Sequence, residues 1–416
     1  MKPPGTALRA TAPSAAAVAR RTVTGWAAAV MADIGLIGAS FGPALVPARA
    51  AFHLTILTAG TLFLVFGTAR TVGAMLSAVL SDLVGRRALL VGYGGTLVLA
   101  LTAVAVAPTW PAVLAGAAGI GLAFGAVSTE ANAVTALAGG ASRGADLSFV
   151  NAVYSIGAAV GPLTVGLLLE SHVGWRAAFG LWAAATVVPF WGLSLVAGRL
   201  PRATPSAAST PAGPRDPRAL LLAGMAFIYN GIGWTVGGWA ATYMVGRFGA
   251  GLLTGTMGST VFYALLAAGR FLNGSLATRT RATRLLLWGA AASAVALMCL
   301  ALAPTAVVAM LGFGAAGFCL AGIYPNLVAF ATERRPDRPG AMAGLISSGG
   351  AIGVSVVPFA AGALGRGLGL GAMPWLLMGL GCLLVALAAL AARPDPGHAV
   401  QSTPPGGRAA ASGGRE

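Results

Sequence analysis

The chain has 416 residues, of which 57% are hydrophobic and only 9% charged, with a net charge of +16. A water-soluble domain carries about 25% charged residues, so this composition cannot cover a water-facing surface and specifies an integral membrane protein. The positive charge would suggest nucleic acid in a soluble chain. Here the basic residues fall in loops on one side of the apolar segments, so no nucleic-acid partner is expected.

Twelve apolar runs are long enough to cross hydrocarbon as helices, which takes about 20 residues each: 23–47, 55–80, 88–107, 111–137, 147–170, 176–198, 218–246, 253–277, 283–303, 306–331, 339–364 and 371–392. They do not alternate, which excludes a β-barrel. Pro108, Pro111, Pro304, Pro336 and Pro339 punctuate the turns. Residues 1–22 read as a polar tail with no cleavable apolar core, 199–217 as a Pro/Ser/Thr/Ala-rich linker between two six-helix halves (23–198 and 218–392), and 393–416 as a disordered tail. Twenty of the 26 Lys and Arg residues lie on the side of both termini, four lie opposite, and Arg70 and Arg270 lie within spans. That bias places the termini in the cytoplasm. Cys299, Cys319 and Cys382 sit in apolar runs and read as small core residues.

Between spans two and three stands Asp82-Leu83-Val84-Gly85-Arg86-Arg87. Gly85 permits a sharp turn, and the two arginines hold the loop in water. The stretch resembles the signature loop of the major facilitator superfamily, Gly-x-x-x-Asp-Arg-x-Gly-Arg-Arg, at Asp82, Gly85, Arg86 and Arg87, with Ala78 and Leu83 departing from it. Further stretches are similar to the same superfamily. Gly157, Gly161-Pro162 and Gly166 in span five partly match an antiporter pattern. Gly174-Trp175-Arg176 opens span six, and Tyr229, Gly231, Gly237-Gly238-Trp239 and Tyr243 resemble the sugar-permease-like members. The basic turn after span two recurs after span eight, with Gly73 and Gly269 at the same offset. The resemblance implies an all-α fold of twelve transmembrane helices in two pseudo-symmetric bundles, with a substrate site between them. It also implies a plasma-membrane transporter working as a monomer by alternating access.

Charges within the spans are candidates for function. Asp33 lies about 15 Å into span one at 1.5 Å per residue. It could carry a coupled proton, or brace a helix break near Gly35, Gly38, Gly42 and Pro43. Arg70 could pair with Asp33 or receive an anionic group of a substrate. Glu130 fits an ion-pair network with Arg143 and the basic loops, and Arg270 a structural or gating contact to carbonyls or acids of a neighbouring helix. Trp239 and Tyr243 read as interfacial anchors. For the substrate wall the polar and aromatic residues midway along inner spans are expected: Asn151 and Tyr154, Tyr229, Asn230 and Trp234, and Tyr324 and Asn326. There is no nucleotide-binding loop, metal-ligand spacing or catalytic cluster, so a cofactor or an enzymatic role is not expected. The expected partners are a small-molecule substrate, protons and the lipid bilayer. Export of a small organic compound and proton-coupled uptake of a sugar-like nutrient both stay open, with export slightly favoured.

Overall fold

In the computed structural model the described residues are 15–140, 143–198, 217–334 and 339–393; the expected linker and both chain ends lie largely outside them. Among the described residues there are thirteen helices and no strand. The first half comprises α1 (Ala15–Ala51), α2 (Ile56–Val84), α3 (Arg86–Val106), α4 (Trp110–Gly139), α5 (Arg143–Glu170) and α6 (Trp175–Ala197). The second comprises α7 (Pro217–Phe248), α8 (Leu252–Ala277), α9 (Ala282–Ala301), α10 (Ala306–Leu320), α11 (Ile323–Arg334), α12 (Pro339–Leu368) and α13 (Ala372–Ala391). Twelve stretches are long and apolar enough to span a membrane, with α10 and α11 together making one. α1 starts eight residues before the expected span, because Ala15–Ala17 and the residues after them propagate a helix readily.

The tenth span departs from the continuous helix expected over 306–331. It breaks at Ala321–Gly322. Pro325 has no N–H, and its ring crowds the carbonyl four residues before it, which favours a break there, although Pro162 and Pro358 are accommodated inside α5 and α12. The chain restarts with Asn326 N–H donating to the Gly322 carbonyl at 3.1 Å.

Membrane helices gain no hydrophobic drive from meeting one another, so close packing at small residues holds them. The two halves use glycine in matching places. In the first, a methyl group on Gly73 would strike the Leu122 carbonyl, on Gly121 the Phe66 carbonyl, and on Gly125 the Arg70 carbonyl, so the backbones of α2 and α4 touch. In the second, Gly269 meets the Phe318 carbonyl and Gly317 the Phe262 carbonyl, pressing α8 against α10 in the same way. Gly157 and Gly161 seat α5 on the Ala32 and Leu36 carbonyls of α1, and Gly349 and Gly353 seat α12 on the Ala223 and Phe227 carbonyls of α7. α3 packs on α6 as α9 packs on α13. Each half encloses its own apolar core, and few residues cross from one core to the other. Large apolar side chains such as Leu99, Val106, Leu311 and Trp288 are exposed, which suits an outer surface in lipid rather than water.

Two expectations about packing change. Cys299 and Cys382 are exposed on the outside of the bundle, not in a core. Trp239 is no interfacial anchor: it is fully buried, its indole N–H donates to the Pro358 carbonyl at 2.8 Å, and its ring packs 5.5 Å from that of Phe63 in the other half. Tyr243 is also buried.

Candidate functional site

A cavity of about 620 Å³ lies between the halves, lined from α1, α2, α4 and α5 on one side and α7, α8, α10, α11 and α12 on the other. Its lining runs from Phe124 and Trp234 at mid-depth down to Leu147 and Ala343, each one turn inside the basic-loop end of its helix. The opposite end is shut. There Gly42 abuts the Gly237–Gly238 backbone, Gly67 meets Ser355, Gly166 meets Thr256, and Gly60 and Gly362 close around Trp239. Every one of these contacts except Gly362 on Trp239 joins the two halves. The molecule is therefore open toward the basic-loop face and sealed toward the other. A second hollow of about 640 Å³, near Tyr243, Arg247 and Trp375, is lined by the second half alone and cannot alternate between faces.

Six of the seven expected wall residues line the cavity: Asn151, Tyr154, Tyr229, Asn230, Trp234 and Tyr324. The break before Ile323 turns Tyr324 inward, where its ring stacks on Tyr229 at 5.8 Å and its hydroxyl is hydrogen-bonded to Ser347 at 3.2 Å. Asn151 donates to Asn132 Oδ1 at 3.0 Å and to the Leu147 carbonyl at 2.9 Å. Asn326 is the exception. It is buried between α8 and α11, where its amide donates to Asn273 Oδ1 at 2.8 Å, and it does not reach the cavity. Phe124, Tyr263, Asn132 and Ser347 are among the other residues of the wall. Nothing in an apolar run distinguishes a cavity phenyl from a core one, so Phe124 carried no sequence signal.

The charged candidates separate. Asp33 and Arg70 are not a pair. Asp33 is buried and accepts a hydrogen bond from Thr186 Oγ1 on α6 at 2.8 Å, away from the cavity. Arg70 projects into the cavity, its guanidinium carbon 5.1 Å from the Phe124 ring and 5.5 Å from that of Trp234. Asp33 meets α6 and Arg70 meets the cavity, a difference that depth along the sequence alone does not reveal. Arg270 also lines the cavity. It donates from Nη1 to the Asn151 carbonyl at 2.8 Å and to Ser155 Oγ at 2.5 Å, tying α8 to α5 across the halves, in line with a contact to carbonyls.

Glu130 forms its ion pair with Arg86, not Arg143. Arg86 Nε lies 3.5 Å from Oε2, and Ser77 donates to Oε1 at 2.9 Å. Arg86 can reach inward because Gly85, at φ 81°, turns the chain sharply between α2 and α3 in a conformation that other residues avoid. Arg87 points outward beside Gly198 at the end of α6. The side chain of Asp82 lies outside the described residues. Asp146 and Arg20, 3.3 Å apart, tie α5 to α1 near the same face.

The profile of the Major Facilitator Superfamily matches residues 25–315 and 221–413. The chain belongs to that superfamily. Solved structures share its fold: a point mutant of the nucleoside transporter NupG (TM-score 0.75, 10% identity, 90% of this chain and 100% of the other) and a D-xylose-proton symporter (0.69, 16%, 89% and 97%). A third is a bacterial homologue of the human lysosomal transporter Spinster in an inward-facing and occupied conformation (0.70, 15%, 91% and 98%). No curated protein matches the chain. At these identities the superfamily fixes the architecture and the transporter class, and the solute must be argued from this chain's own cavity.

Proposed function

We propose that this chain carries a small organic solute across the plasma membrane by alternating access, coupled to protons, with net flow outward. The observation that carries the reading is one cavity walled by both halves, open at one face and sealed at the other by contacts between those halves. Rocking the halves about the cavity would break the Gly42, Gly67 and Gly166 contacts and bring the basic ends together. The concentration of arginines on the open side supports a cytoplasmic assignment for it and for both termini. A cavity contained within one chain supports a working monomer. The proton is assigned to Asp33, a buried carboxyl with one hydrogen-bond donor and no cationic partner among the described residues.

Outward flow is supported by the partial antiporter pattern of α5. Gly157 and Gly161 seat that helix on α1, and Gly166 meets Thr256 at the sealed end, so the pattern lies where the halves must slide. Proton-coupled uptake is the second reading, favoured by the likeness of fold to a D-xylose-proton symporter. Reconstituted protein in liposomes, loaded with a panel of solutes and assayed for counterflow with and without an imposed pH gradient, tests both. Accumulation opposite to the proton flow supports export, and accumulation along it supports uptake. Absence of exchange for every solute removes the transporter reading.

A further inference from the structure

The geometry points to a flat organic anion as the solute, an aromatic or similarly planar carboxylate, with Arg70 as its charge receptor; this rests on the transport reading above. Three features of the cavity carry it.

The first is charge. Among the described lining residues there is no Asp, Glu, Lys or His, and two arginines. Arg270 spends one nitrogen on the Asn151 carbonyl and Ser155. Arg70 has rings on its flanks and no carboxylate partner among the described residues. A guanidinium at mid-membrane is costly until an anion meets it, and its planar fork matches a carboxylate bidentately. A cationic solute would meet two like charges in a poorly screened space.

The second is repetition. Gly73 and Gly269 are equivalent points of the two halves, and Arg70 stands three residues before the first while Arg270 follows the second. The two arginines are thus one helical turn apart in register, on the same face of equivalent helices α2 and α8. Both faces turn to one cavity.

The third is shape. Phe124 and Trp234 flank Arg70, and the stacked Tyr229–Tyr324 pair stands across the cavity on α7 and α11. Rings at these places take a planar body by stacking. A neutral polyol such as a sugar could hydrogen-bond to the amides and hydroxyls of the wall, but it would leave the Arg70 charge without a counter-charge. The expected solute therefore differs in charge from the nucleoside and D-xylose named for two structures of the same fold.

Binding of matched pairs to the full-length purified protein tests the inference: benzoate, 3-phenylpropionate and 2-naphthoate, each against its uncharged primary amide and its amine analogue, with acetate and D-xylose alongside. At least one aryl carboxylate should bind on the order of tenfold or more tighter than its amide, and tighter than acetate. Arg70→Gln should weaken it on the order of 30-fold, Arg70→Lys less, and Trp234→Leu should weaken carboxylate and amide alike. Because the pairs are compared on the unmutated protein, a misfolded variant does not decide the matter. No preference for any carboxylate over its amide, or undiminished binding by folded Arg70→Gln, overturns the inference. Counterflow in liposomes separates the two levels. Exchange of amides, amines or sugar without carboxylates overturns the anion and leaves transport standing; exchange of nothing overturns both.

Discussion

Ser77 on α2 donates a 2.9 Å hydrogen bond to Glu130 on α4, and the equivalent places of the second half hold Asn273 and Asn326, joined at 2.8 Å. The equivalence follows from the glycine contacts. Ser77 lies as far beyond Gly73 as Asn273 beyond Gly269, and Glu130 as far beyond Gly121 as Asn326 beyond Gly317. One polar clasp therefore serves both halves, charged in the first, where it also holds Arg86, and neutral in the second.

The two clasps should differ in cost when cut. Glu130→Ala takes the carboxylate away from beside the poorly exposed Arg86 guanidinium, at about 3–5 kcal/mol. Asn326→Ala strands one amide oxygen, at about 1–3 kcal/mol. Thermal unfolding in detergent should show the larger drop for Glu130→Ala, with Glu130→Gln between the two. Equal drops would mean that the Arg86 contact contributes nothing.

Gly42→Val should unseat the closed face. A side chain there collides with the Gly237–Gly238 backbone, which cannot yield as a flexible side chain would. The equilibrium should move toward the state open on that side. In a background lacking Cys299, Cys319 and Cys382, a cysteine at Gly60, packed against Trp239, should react with a membrane-impermeant maleimide about tenfold faster when Gly42→Val is present. An unchanged rate would show that the seal does not depend on this approach.

Arg270 should act as a strap between the halves. Arg270→Met removes both of its bonds to α5, and Ser155→Ala removes one. Spin labels on exposed Gly144 and Thr278, at the basic ends of α5 and α8, should report a longer and broader distance distribution in Arg270→Met, with Ser155→Ala intermediate. Identical distributions would reduce the contact to a local one.

Asp33→Asn separates coupling from binding. The amide oxygen can still accept from Thr186 but carries no proton in and out. Counterflow exchange should persist, since the cavity does not contain Asp33, while accumulation driven by a pH gradient should be lost. Full gradient-driven accumulation in this variant would move the proton to another group.

Most of the architecture is legible before any coordinates, because its causes are local or additive. Span length, proline punctuation and arginine bias each act over one segment, and they yield twelve spans and two halves. Gly73 and Gly269 are legible as a repeat because close helix approach permits no side chain at either place. The failures are tertiary. Asn326 reads as a wall residue by depth and polarity, but which way it faces depends on the break at Ala321–Gly322, and a lone proline in an apolar run does not by itself mark a break, since Pro162 and Pro358 lie inside unbroken helices. Asp33 and Arg70 look like partners because both are mid-span charges of opposite sign. Only the packing of α1 on α6 and of α2 along the cavity sets them apart.

That break in the tenth span has a mechanical meaning. Its counterpart α4 is one unbroken rod, so a tug on the first half's wall moves the whole rod. In the second half the short α11, which bears Tyr324, is separated from α10 by the break, so a swing about that break would leave the sealed end in place. A solute resting on Tyr324 would thus be felt first by the short lever, and the second half, not the first, would begin the stroke.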